Sequence, residues 1–109
     1  MTSAADFAIP QHLNQAERAI MLAAQASNAK GDHASRRLMA AALAKINAAQ
    51  AEQHPKERGV LLTDAHWYTA SILEEGPGGS KAYRRAMARA ISSTAAAAAF
   101  HAADQGSNA

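Results

Sequence analysis

The chain has no cysteine among its 109 residues, which removes disulfides, thiolate metal sites and thiol nucleophiles together. It lacks a long apolar run as well. The longest is the seven-residue stretch Leu38 to Ala44, followed by Ala19 to Ala24 and Ala95 to Phe100, all far short of the ~20 residues a membrane-spanning helix needs. The stretch from Met1 to Pro10 has neither a basic start nor an apolar segment of useful length, so no secretory signal is expected and a soluble, cytoplasmic protein is the default. Charge of one sign is also missing. Eleven Lys and Arg stand against nine Asp and Glu, for a formal charge of +2, a balance that neither demands nor excludes a polyanionic partner.

Large apolar side chains are few. Val60, five Ile, seven Leu, four Met, two Phe, Trp67 and two Tyr make 22, a thin core for a single domain that buries only about two-thirds of its unfolded surface. What is abundant is alanine, with 31 residues. Alanine has the best helix propensity and lets helices approach closely, so the composition points to an all-α domain, with a partner or a second copy as a source of further burial.

The clearest stretch runs from Ser80 to Ala103. At 100° per residue Tyr83, Met87, Ile91, Thr94 and Ala98 share one face, while Lys81, Arg84, Arg85 and Arg89 occupy the opposite arc. This is an amphipathic helix with a basic back, capped by Ser80.

The rest follows in chain order. Residues 1–9 read as a flexible arm, and Pro10 opens the first helix, because its missing N–H goes unpaired in a first turn anyway. Leu13, Ala16, Ile20, Ala24 and Ser27 form its stripe, and Lys30-Gly31-Asp32 closes it. A second helix from His33 to Gln53 carries Leu38, Met39, Ala42, Leu43, Ile46 and Ala49 within one arc. Residues 10–53 are thus the first helical hairpin, and 54–59, with Pro55 and Gly59, a linker. In the second hairpin, 60–103, Thr63 is the expected N-cap, with Leu62 stapled onto Trp67. That helix ends at Gly76-Pro77, and residues 104–109 are expected to fray. The result is a small four-helix domain built from two hairpins, with Leu38, Leu43, Ile46, Leu62, Trp67, Ile72, Tyr83, Met87 and Ile91 as its expected core.

The turn Gly31-Asp32 between Ala-rich helices prompts comparison with tetratricopeptide-type repeats, but the small residue expected five positions after the glycine is Arg36, and the second hairpin does not copy the first. No family is assigned on these residues.

Three readings compete for the basic face. Lys81, Arg84 and Arg85 sit in the first turns of a helix, where the macrodipole disfavours cations, and Glu74 and Glu75 are equally misplaced at the end of the preceding helix. Pairing across the turn explains both. A phosphate site built from the glycines, the helix amides and these cations is the functional alternative, with a helix-turn-helix placement as a variant of it, and a solvated face without a partner is the third. Gly76 to Lys81 lacks the Gly-Lys-Ser/Thr order and the preceding strand of a nucleotide loop.

His12, His33 and His54 recur every 21 residues, with His66 and His101 completing the set. None has the three- or four-residue spacing that makes helical histidines converge on a metal, and Asp64 and His66 point to different faces. No catalytic constellation, metal site or cofactor fingerprint emerges. The run Ala95 to Ala99 offers a smooth surface for close contact with a helix of the same or another molecule. The expectation is therefore a non-enzymatic interaction protein of adaptor or regulatory type, using Lys81, Arg84, Arg85 and Arg89 on a protein partner, with self-association possible. Phosphate contact with nucleic acid through the same residues is the alternative, and an enzyme with a dispersed site ranks below both.

Overall fold

The computed structural model describes residues 4–26, 33–75 and 80–107, and these form four helices: α1 Ala4–Ala26, α2 His33–Ala51, α3 Pro55–Glu75 and α4 Lys81–Ser107. No strand occurs among the described residues, and no helix is long and apolar enough to cross a membrane. The all-α reading holds.

All four helices bury residues at alternating steps of three and four. In α1 these are Ile9, Leu13, Ala16, Ile20 and Ala23; in α2 Met39, Ala42, Ile46 and Ala49; in α3 Leu62, Ala65, Thr69 and Ile72; in α4 Tyr83, Met87, Ala90, Thr94, Ala97 and His101. A mean step of 3.5 keeps a narrow seam facing its neighbours over many turns, which is the packing logic of coiled-coil-like bundles. Alanine or a hydroxyl residue takes many of the seam positions, so a small set of large side chains, Ile9, Leu13, Ile20, Met39, Ile46, Leu62, Ile72, Tyr83 and Met87, fills the buried interior.

The helices form a ring. The most extensive contact joins α1 to α4, followed by α2 with α3 and α3 with α4; α1 and α2 touch least, and the diagonal pairs do not meet. Neighbours are antiparallel: His12 stacks on Phe100 with centroids 5.6 Å apart, the Asn14 and Gln50 amides hydrogen-bond at 2.8 Å, Lys45 faces Asp64 at 3.6 Å, and His66 reaches Thr94 at 3.1 Å. The body is elongated, 48 × 20 × 19 Å, in keeping with the ~40 Å length of a 27-residue helix such as α4.

Several boundaries differ from the sequence reading. Residues 4–9 belong to α1, and Pro10 lies inside it. An interior proline costs about 3 kcal/mol; Ile9, 1% exposed and one seam step before Leu13, supplies burial that offsets it. Residues 54–59 are not a linker. Pro55 is the first residue of α3, and the His54 carbonyl accepts the Arg58 N–H at 2.9 Å, so His54 is the N-cap and its ring pairs with Glu57.

Thr63 is accordingly mid-helix, its hydroxyl donating to the Gly59 carbonyl at 3.0 Å instead of capping. Gly59 stays within α3, since one interior glycine costs only about 0.8–1.0 kcal/mol against alanine, and His101 packs against it: a Cβ at Gly59 would lie 3.2 Å from His101 Nε2. His101 also anchors the last turns of α4, which runs on past residue 103 to Ser107. The Ser80 cap is present, its Oγ accepting the Tyr83 N–H at 3.1 Å. The expected turns at residues 30–32 and 76–79 lie outside the described residues.

The expected core is mostly in place. Ile46, Leu62, Ile72, Tyr83 and Met87 are buried, and Leu38, Leu43 and Ile91 are half-buried. Trp67 is not part of it, being 61% exposed. At 100° per residue it falls about 180° from the centre of the Leu62, Ala65, Thr69, Ile72 seam, so the Leu62 staple cannot form, and Trp67 meets the ring of Tyr68 edge-on.

Candidate functional site

The α3–α4 interface is held by polar groups that satisfy one another. Thr94 Oγ1 has one proton, directed at the Ala90 or Ile91 carbonyl at 2.9 or 3.0 Å, so it accepts from His66 Nδ1–H. The Pro55 carbonyl can only accept, so His101 Nε2–H donates to it at 2.9 Å. Thr69 and Ser71 turn their hydroxyls back onto the carbonyls four residues earlier. These groups are fixed in pairwise contacts inside the bundle, and no nucleophile, base and orienting group line up among them as acyl or phosphoryl transfer requires. Among the described residues no three His, Asp or Glu side chains come together as metal ligands.

The α1–α4 interface is different. It opens outward into a groove of about 1080 Å³ whose walls are the outer flanks of the two helices. Its floor is small and apolar, with Ala19 and Ala86 buried and Ala26, Ala82 and Leu22 beside them. Leu22 is 54% exposed, an apolar side chain standing in the groove and not in the core. Three guanidinium groups border it, Arg18 from α1 and Arg85 and Arg89 from α4, with Gln15, Gln25, Ser92 and Ser93 as neutral polar neighbours. Among the described residues no acidic side chain lines it. All three arginines are exposed, and none forms an ion pair among the described residues.

Of the four cations expected to act together, the structure brings two into this groove. Arg85 and Arg89 line it; Lys81 and Arg84 are exposed but outside it. Taking 100° per residue, Arg84 falls about 100° from Arg85 toward the opposite flank of α4. Arg18 takes the vacated role. Nothing in the local pattern of α1 marks it, and its partnership with Arg85 and Arg89 depends on the pairing of the first helix with the last. Glu74 forms no ion pair with Lys81, Arg84 or Arg85 among the described residues, while the Glu75 side chain lies outside them.

The alanine run is used inside the chain: Ala97 is buried and Ala95, Ala96 and Ala98 are half-buried within the bundle. Val60 and Trp67, seven residues apart on α3, form a separate exposed apolar pair. No protein-family model matches the chain, and comparison with curated proteins and with solved structures likewise finds no match.

Proposed function

We propose that this protein is a non-enzymatic helical interaction protein that holds an acidic partner in the α1–α4 groove. The observation that carries this reading is the convergence of Arg18, Arg85 and Arg89 on an open apolar floor, with no acidic side chain among the described residues that line it. Surface cations on a stable bundle are ordinarily interspersed with carboxylates. Three arginines from two helices, bordering a half-exposed leucine, combine charge and apolar area in the way that partner-binding surfaces do. Arginine rather than lysine suits this use, because its planar fork matches a carboxylate and is weakly hydrated.

The test is fluorescence anisotropy of labelled polyglutamate, at ionic strengths of about 0.05 and 0.3 M, where the screening length falls from ~14 to ~6 Å. Binding at low salt that is lost in R18A/R85A/R89A but kept in K81A/R84A supports the groove. Equal loss in both variants points to diffuse charge and refutes it.

A second reading, phosphate contact with nucleic acid, is favoured by the exposure of Lys81, Arg84, Arg85 and Arg89 along one helix. Four phosphate contacts on duplex DNA give a log-log salt slope of about −3 to −4. That reading requires K81A/R84A to weaken DNA binding as much as R85A/R89A does.

A further inference from the structure

Resting on the acidic-partner reading, we infer that the element seated in the groove is an acidic amphipathic helix of about three turns, docking as a third helix against α1 and α4. Three features select a helix over an extended peptide or a phosphate backbone. The first is shape. The lining residues on α1 run from Gln15 to Ala26 and on α4 from Ala82 to Ser93, a straight trough about 17 Å long between two antiparallel helices, which is the length of three helical turns.

The second is the floor. Alanine at Ala19, Ala26, Ala82 and Ala86 leaves the valley between two helices unfilled, so a third helix can settle at the 8–10 Å interaxial distance of packed helices. An extended peptide adds its backbone to an unpaired sheet edge, and the described residues contain no strand. A single-stranded nucleic acid is ordinarily held by aromatic faces on which its bases stack, and no aromatic side chain lines the trough among the described residues.

The third is the distribution of charge. Arg18 borders the trough on one wall and Arg85 and Arg89 on the other, with Leu22 between them. A helix with an apolar stripe at i, i+3 or i+4, and i+7 places that stripe on the alanines and Leu22. Its flanking Asp and Glu residues then meet guanidinium groups on both sides, the helix-in-groove mode of recognition.

The experiment is selection of a displayed library of random segments of about 16 residues, a little over four turns, on the immobilised full chain, with R18A/R85A/R89A as the counter-selection. Selected segments should carry Leu, Ile, Met or Phe at i, i+3 or i+4, and i+7, with Asp or Glu on both flanks. As free peptides they should bind at least about tenfold more tightly than versions with a central proline, which breaks a helix, and L22D should abolish that advantage. All the substituted residues are exposed, and unchanged helical circular dichroism checks that the variants remain folded. Acidic winners without helical periodicity, indifferent to the proline, would overturn the helix while leaving the acidic-partner reading intact. Winners displaced by mixed-sequence duplex DNA at lower concentration than by their own free peptide would overturn the helix in favour of phosphate. A selection with no segment that distinguishes the chain from R18A/R85A/R89A would sink both the helix and the reading beneath it.

Discussion

Replacing Gly59 with alanine sets two terms of known sign against each other. Gly59 lies inside α3, and glycine in a helix interior is about 0.8–1.0 kcal/mol less favourable than alanine. Were the site open, Gly59→Ala would stabilise the protein by that amount. It is not open, since the new Cβ would stand 3.2 Å from His101 Nε2 and 3.3 Å from Cδ2. The imidazole must retreat by a few tenths of an ångström, yet it is buried and its Nε2–H is committed to the Pro55 carbonyl at 2.9 Å. Weakening that bond costs up to about 0.5–1.5 kcal/mol, comparable to the gain in propensity. Gly59→Ala is therefore expected to leave stability within about 0.7 kcal/mol of the parent, and His101→Ala alone to cost about 1–3 kcal/mol through the lost bond and packing. In the His101→Ala background, Gly59→Ala should become stabilising by about 0.8–1.0 kcal/mol. Urea unfolding of the four proteins measures this directly, with an expected coupling of about 0.5–1.5 kcal/mol. If Gly59→Ala stabilises both backgrounds equally, within about 0.3 kcal/mol, the approach of His101 to Gly59 is not what makes this position glycine.

Three further substitutions probe other parts of the bundle. Pro10→Ala should stabilise the chain by up to about 3 kcal/mol, because it restores a backbone donor within α1; no change in the denaturation midpoint would mean that the helix starts at Pro10 after all. Thr94→Val removes the acceptor for His66 Nδ1–H without changing volume much and should cost about 1–3 kcal/mol, whereas Thr94→Ser, which keeps the oxygen, should recover most of it in the same melt. Trp67→Ala should move stability by no more than about 0.5 kcal/mol, and a loss comparable to the 3–5 kcal/mol of a buried tryptophan would return Trp67 to the core.

What could be read from the chain in order was the part of the fold written in local patterns. The α2 stripe around Ile46, the α4 face from Tyr83 to Thr94 and the Ser80 cap are each contained within a few turns of helix, and each is present. Pro55 and Gly59 misled for the opposite reason. Both are breakers by local rule, but Pro55 is harmless at the first helical position, and Gly59 answers to His101, 42 positions further along the chain. Trp67 misled because bulk suggests burial, while the seam of α3 is set by Leu62, Ala65, Thr69 and Ile72, which place it outside. The groove was half legible. Arg85 and Arg89 stand out on α4, but Arg18 acquires meaning only when α1 lies along α4, a pairing across the full chain that no local periodicity encodes.

That pairing also governs the order in which the molecule can be assembled. The largest interface joins the two helices farthest apart in the chain, so closing it requires a loop that spans α2 and α3, and the entropy of that closure is met before its contacts form. The α2–α3 pair, separated by a three-residue connection, can assemble as soon as both helices exist. During synthesis the seam of α1, with Ile9, Leu13 and Ile20, emerges before α4 and must wait for its main cover until α4 has left the ribosome. The interval between the emergence of α1 and that of α4, and not the finished bundle, is when this apolar stripe is most open to capture by chaperones or by other chains.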